Sequence, residues 1–493
     1  MAERTAAEWP ADMLINGRAV GGAGAEIAVE NPATGEVFFR FPGASEAQFS
    51  TAIAAARKAA DSGVWSDCPR KDRVAAVRRF IDALEARADE LERIVMAEGG
   101  CPVGSAVLPV QVRGPLAHAR DQLDLYLTLP ESESNPLPLE ERINAAGTVV
   151  QSVRRWVPLG VVAAISAYNF PFFLGLWKVV PALATGNCVI LRPSPLTPLS
   201  TLAMREAAEE ADFPAGVLQI LAETEAQGAL LLTTDPSVDM VTFTGSTDVG
   251  RKVMAQAAPT MKRLQLELGG KSAQIFMPDS VDKAAVSVMG VCLAHSGQGC
   301  VLGTRVFVPE ESKAQVLEGM TRMAAAIVQG DPLDSATQMG PVISRAQQDR
   351  CAHYVKIAVD AGARVVAGGN RLDRPGYFFE PTVLDVPDNR NPAARDEIFG
   401  PIVSVIGYRD LDHAVAMAND TIFGLSGYVH GKDVRQALAL ARRIRSGTVN
   451  VNIGGHMSGY ASSGGHRLSG LGRERGEEGL RVYQELQVLN FSN

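Results

Sequence analysis

From residue 161 onward, short apolar runs alternate with amphipathic stretches. VVAAIS (161–166), NCVILRP (187–193), VLQIL (217–221) and MVTFTG (240–245) lack the polar alternation of a half-exposed strand. That is the pattern of strands buried on both faces. Helical spacing is expected between and after them, at 174–184, 198–211, 226–233 and 248–257. Pro198 stands at a helix start, where its missing N–H costs nothing. Such alternation predicts a doubly wound parallel sheet. A second α/β unit is expected from near Gln265 to about Gly447, with SAQIFM, TRVFVP and IVSVIGY as strands. Ahead of both, NPATGE (31–36) reads as a turn between two strand-like runs, and 52–60 and 73–91 read as helices. Segments 142–156 and 480–491 read as extended strands outside both cores, and such strands need a partner.

Composition narrows the class. At 493 residues the chain is too long for one core and implies two lobes or three domains. Hydrophobic residues make up 46% and charged residues 21%, ordinary for a globular enzyme, and a net charge of -8 offers no overall basic face for nucleic acid. The opening MAERTAAEWPADM lacks the basic-then-apolar pattern of a secretory leader. The most apolar stretch, 170–191, is interrupted by Pro171, Lys178, Pro181, Gly186 and Asn187, so it reads as buried helix plus strand rather than a membrane span. Six dispersed cysteines without a CxxC pair imply reduced thiols in a cytoplasmic protein. No HxxxH or Cys/His cluster suggests a metal site.

One cysteine differs in its setting. Cys300 ends GQGC (297–300), where glycine on either side of Gln298 permits a tight loop that exposes sulfur. A thiolate attacks a carbonyl readily and later leaves from a thioester. Taken alone, a buried loop cysteine is the commoner fate. FTGSTDVG (243–250) follows a strand and opens a helix, so Ser246 and the first-turn N–H groups could approach a pyrophosphate, although this is not the GxGxxG fingerprint.

AYNFPFFLGLWKVVPALATGNCVILRPSPLTP (167–198), FTGSTDVG, ELGGKS (267–272) followed by GQGC, EIFGPIVSV (397–405) and SGLGRERGEEGL (469–480) occur in that order. Together they resemble the aldehyde dehydrogenase superfamily over nearly the whole chain. Each motif is weak alone; the ordered set is specific. The resemblance implies an α/β fold: a Rossmann-type doubly wound cofactor domain (1–139 and 157–264), an α/β catalytic domain (265–465) and a small β oligomerisation extension (140–156 and 466–493). It implies oxidation of an aldehyde to the carboxylic acid through a cysteine thiohemiacetal and thioester, with Cys300 as nucleophile, Glu267 as water-activating base and Asn169 in the oxyanion hole beside the Cys300 N–H. Asn169 also reads as a cap for the helix at Pro171. Glu267 favours hydrolysis over transfer to coenzyme A.

By the same resemblance NAD is bound by Ser166, Arg192, Ser194, Gly245, Ser246, Leu268, Glu397 and Phe399, with core packing as the alternative for Phe399. The segment RPSP departs from the family, which usually has Lys and Glu where this chain has Arg192 and Pro195. Arg192 could bind the 2′-phosphate of NADP, whereas Glu223 or Glu225 could replace the missing carboxylate and disfavour it. NAD is favoured, with some NADP use. The aldehyde tunnel is expected along Phe170, Phe173, Leu174 and Trp177, with Val301 and the loop 456–463, including Met457, opposite. Phe172 reads as core. With no Arg in that loop, an uncharged apolar or aromatic aldehyde is the expected small-molecule partner. A homodimer or homotetramer is expected, without nucleic-acid or membrane partners. Two rivals stand: a cysteine hydrolase or acyltransferase pairing Cys300 with His295, and a non-catalytic binding relative.

Overall fold

The computed structural model describes residues 9–455 and 457–492. His456, at the start of the expected tunnel loop, lies outside them.

The buried apolar runs become the centre of an eight-stranded sheet. Its order is Gly470–Leu471, Arg263–Glu267, Met240–Thr244, Val161–Ile165, Cys188–Arg192, Leu218–Ile220, Met13–Ile15, Arg18–Val20. The five strands from Arg263–Glu267 to Leu218–Ile220 run parallel. Every residue of Val161–Ile165 and Met240–Thr244 is buried, as expected of strands covered by helices on both faces. The chain winds outward from Val161–Ile165 on one side, then returns to build the other. The switch point therefore falls between Val161–Ile165 and Met240–Thr244, which pair as Phe243↔Ile165. Clefts open at the carboxyl ends of strands at such points.

A seven-stranded sheet forms the second unit: Arg364–Ala367, Thr382–Asp385, Ile402–Tyr408, Arg305–Pro309, Ala273–Phe276, Ser426–His430, Thr448–Val451. The three expected strands are its middle members. The other four were not singled out from the sequence.

Two expectations need correction. The expected division at 264/265 falls inside the strand Arg263–Glu267, which pairs in parallel with Met240–Thr244 from Met240↔Arg263 to Thr244↔Glu267. Polar Gln265 and Glu267 hid this strand, but Gln265 is fully buried because Thr242 Oγ1 and Tyr483 OH donate to its Oε1 at 2.7 and 3.0 Å. Gly470–Leu471, grouped with the oligomerisation segment, joins the first sheet instead. The extended strand expected over 480–491 starts later, as Gln484–Ser492, because 476–481 is helical. That strand pairs antiparallel with Val150–Pro158, from Gln484↔Pro158 to Ser492↔Val150, with Ser132–Ser134 beyond. Residues 142–149 are turn rather than strand apart from an isolated bridge between Ile143 and Val149.

The helix Pro171–Ala184 is buried along its whole length. Among the described residues no helix is long and apolar enough to cross a membrane.

Candidate active site

Glu267 ends its strand and is followed by Gly269 and Gly270. The glycines matter for space: a Cβ at Gly269 would strike the Glu397 carboxylate, and one at Gly270 would strike the Cys300 carbonyl oxygen. Glu397 Oε1 accepts the Gly270 N–H at 2.8 Å. The Glu397 carboxylate and the Cys300 backbone, far apart in sequence, thus meet at the glycine pair that follows Glu267. Glu267 Oε1 is buried without a hydrogen-bond partner. A Cβ at Gly464 would lie 3.0 Å from it, so the 464 turn closes over the carboxylate.

Electrostatics there are unbalanced. Burial, then the charge of Glu474, raises Glu267 well above the usual carboxylate range, while Lys178, Arg473 and Arg475 pull it back. Burial, then the carboxylates of Glu397, Glu267 and Glu474, pushes the Cys300 thiol up to about 12. Behind Glu267 lies a polar cluster that the sequence reading missed. Lys178, fully buried, donates to Glu474 at 2.8 Å and to Thr242 Oγ1 at 3.1 Å. Gln265 Nε2 donates to the Arg473 carbonyl at 2.6 Å. The available signal was Lys178 itself, since a lysine inside an otherwise apolar helix needs a partner.

Asn169 is 4% exposed and its Nδ2 donates to the Gln298 carbonyl at 2.8 Å. It does not cap the helix at Pro171, whose capping residue is Phe170 and which has no side-chain cap bond. Gln298 in turn shapes the loop before Cys300: its Nε2 donates to the His295 carbonyl at 3.1 Å and its Oε1 accepts from Ile343 N–H at 3.0 Å. The Asn169 amide is thereby fixed beside the cysteine loop.

Phe173, Leu174 and Trp177 form a cluster separate from the main core, with Ala167 and Phe170 packed against it. Ring centroids of Phe173 and Trp177 lie 3.8 Å apart, and those of Phe170 and Phe173 5.9 Å. Phe172 belongs to the main core. Val301 and Met457 are exposed, at 42% and 38%, rather than buried with the aromatic cluster. His295 packs on Phe170 with both ring nitrogens unpartnered, and burial lowers its pKa to about 4.

At the switch point, Ser166 Oγ is buried without a partner. Gly245 N–H donates to the Glu267 carbonyl at 3.1 Å. Exposed Ser246 caps the helix Thr247–Ala257, accepting from Val249 N–H at 3.4 Å. Leu268 is buried against Gly250, where a Cβ would collide with it. Phe399, at φ 64°, stands edge-on to Tyr168 at 6.0 Å. Ser194 Oγ accepts from the nearby Leu196 N–H, at 3.3 Å. Arg192 is already engaged: its Nε donates to Glu223 Oε1 at 3.1 Å and its Nη2 to the Glu225 carbonyl at 3.3 Å. Glu223 also accepts the Gly228 and Ala229 N–H groups at 2.7 and 2.8 Å.

Known proteins agree with this architecture. The sequence matches the model of the aldehyde dehydrogenase family over residues 20–489. Geranial dehydrogenase of Castellaniella defragrans is 37% identical over 456 residues, covering 92% of this chain and 93% of that protein. A crystal structure of a mutant aldehyde dehydrogenase C from Pseudomonas syringae with NAD+ and octanal superposes with TM-score 0.91 at 32% identity, covering 99% of this chain and 98% of that one. Betaine aldehyde dehydrogenase from Staphylococcus aureus with NAD+ gives TM-score 0.93 at 30% identity, covering 98% and 95%. With the family's sequence pattern spanning nearly all of it and its fold reproduced from end to end, the chain belongs to the aldehyde dehydrogenase family.

Proposed function

We propose that the protein oxidises an uncharged aldehyde, apolar or aromatic, to its carboxylic acid with NAD, by covalent catalysis at Cys300. The observation that carries this is that the Glu397 carboxylate and the Cys300 backbone meet at the glycine pair 269–270 directly after Glu267, with the Asn169 amide fixed beside the cysteine loop.

Cys300 gives up its thiol proton to solvent and Sγ attacks the carbonyl carbon, breaking the C=O π bond and leaving an anionic thiohemiacetal oxygen. Asn169 Nδ2 and the Cys300 N–H hold the developing oxyanion, at about 3 kcal/mol for one donor. A bound nicotinamide supplies the two-electron acceptor. The thioester left on Cys300 is hydrolysed by water, and Glu267 takes the water's proton; a carboxylate raised by burial is a stronger base once ionised. Sulfur leaves and the acid is released. His295, buried and neutral against Phe170, is a poor base, which favours this reading over a cysteine hydrolase.

The switch-point residues fit a dinucleotide. Ser166 has an orphan buried hydroxyl, Ser246 exposes a helix N-terminus suited to phosphate, and Glu397 presents a carboxylate suited to ribose hydroxyls. Arg192, already paired with Glu223, is not free for a 2′-phosphate, which supports NAD over NADP. The aromatic cluster and the octanal and geranial named for two relatives support an apolar aldehyde. Strand Gln484–Ser492 is exposed from Glu485 onward, with Leu486, Val488, Leu489 and Phe491 in the open. We assign it to self-association as a dimer or tetramer.

The test is reduced-nicotinamide absorbance with NAD and a panel of octanal, benzaldehyde, betaine aldehyde and succinic semialdehyde. Octanal or benzaldehyde should give the highest kcat/KM, and Cys300→Ala should remove turnover while equilibrium NAD binding persists. Preference for the semialdehyde would reject the substrate class, and turnover by Cys300→Ala would reject the mechanism.

A further inference from the structure

Arg475 is unusual on three counts. It is 7% exposed, yet among the described residues its guanidinium forms no ion pair. Instead it lies over the Trp177 ring at 4.6 Å and donates to Ser463 Oγ at 3.2 Å and to the Ser458 carbonyl at 3.3 Å. Its backbone stands at φ 61°, ψ 175°, a region left almost entirely to glycine. A buried cation held in a strained backbone persists only where the surroundings enforce it, and such positions cluster at functional sites.

The surroundings here include Glu267. Ser463, which Arg475 grips, precedes Gly464, the residue that closes over the Glu267 carboxylate. The charged and titratable groups acting on Glu267 come from every element around it. Lys178 comes from the helix Pro171–Ala184, and Arg473, Glu474 and Arg475 come from the tail; the Cys300 thiol comes from the loop. Lys178 and Glu474 pair with each other at 2.8 Å. Arg473 donates to the Gly472 and Gly465 carbonyls at 2.7 and 3.3 Å. Two cations without carboxylate partners therefore remain near Glu267, and Arg475 is the one that also touches the aromatic wall.

We propose that Arg475 is a positioning residue for the water-activating step: clamped between Trp177 and the 458–463 turn, it fixes a positive charge at the turn that closes over the Glu267 carboxylate. The proposal rests on Glu267 being the base. Burial and then Glu474 raise the Glu267 carboxyl; Arg475, after Lys178 and Arg473, opposes them, so Glu267 takes up its working form at lower pH than it would without this charge.

The experiment is the pH profile of kcat with NAD and octanal for wild type, Arg475→Met, Arg475→Gly and Arg475→Lys. Glycine takes the backbone angles without strain and keeps the test open if the methionine variant does not fold. Both neutral variants should move the acidic limb upward by about half to one pH unit, with lysine restoring most of it, because one fixed charge is lost. An unmoved limb with only KM or thermal midpoint altered makes Arg475 a packing residue and overturns the proposal. Glu267→Gln runs in parallel. If it still turns over, the base assignment itself fails. If it is inactive while the Arg475 limb stays put, this proposal alone fails.

Discussion

At the end of strand Cys188–Arg192, buried charge is fully answered. Arg192 meets Glu223 at 3.1 Å, and the same carboxylate accepts two backbone N–H groups of the next helix. At the end of strand Arg263–Glu267, charge is left open. Among the described residues Glu267 Oε1 has no hydrogen-bond partner and Arg475 no carboxylate, and the Cys300 thiol is pushed up to about 12. Both regions cap strands of one parallel sheet, so the fold does not impose the difference. A satisfied pair sets shape and selectivity. An unsatisfied group holds a proton affinity that a reaction can use, and unbalanced sites mark chemistry for that reason. The Lys178–Glu474 pair lies between the two types: it is satisfied, but it borders the open site and biases it.

The strongest challenge to this contrast is to open the buried pair. Glu474→Ala leaves the fully buried Lys178 ammonium without its carboxylate and should cost about 3–5 kcal/mol in chemical denaturation. A loss under about 1 kcal/mol, the range of exposed pairs, would mean that the cluster is less dry than its burial indicates. Next in size is Asn169→Ala. It removes the proposed oxyanion donor and should lower kcat about 100-fold or more, near 3 kcal/mol, with NAD binding intact. An effect confined to thermal stability would leave Asn169 only its bond to the Gln298 carbonyl.

How much of this could be read from the sequence follows the same division. Strands Val161–Ile165 and Met240–Thr244 were legible because covered parallel strands are apolar throughout. Strand Arg263–Glu267 was not singled out, and the domain division was drawn through it, because its inward Gln265 is satisfied by Thr242 and Tyr483, partners invisible in one dimension. Cys300, Glu267 and Asn169 were singled out through motifs. For Asn169 the local rule offered a helix cap, and a tertiary bond to Gln298 prevailed. Lys178 read as an interruption in an apolar run, and its meaning appeared only with Glu474, folded in from the tail. Arg475 was passed over because it sits in a motif quoted for its neighbours, and nothing in RERG signals a glycine-like backbone at an arginine.

The smallest expected effect tests the satisfied end. Gly228 N–H uses Glu223 Oε2 and Ala229 N–H uses Oε1, so Glu223→Gln keeps an acceptor for one of the two and the start of helix Gln227–Thr234 should lose about one hydrogen bond. It deletes the charge that holds Arg192. A guanidinium released at the end of strand Cys188–Arg192 can then meet a phosphate with charge-assisted hydrogen bonds. NADP should bind roughly tenfold more tightly by titration calorimetry, near 1.4 kcal/mol, with NAD affinity changed far less. Arg192→Ala in the same background should cancel the gain. If NADP affinity stays within about twofold of wild type, where one released hydrogen bond should exceed that, Arg192 lies out of reach of the 2′ position. The pair would then be a brace for the 222–228 loop rather than a filter for the cofactor.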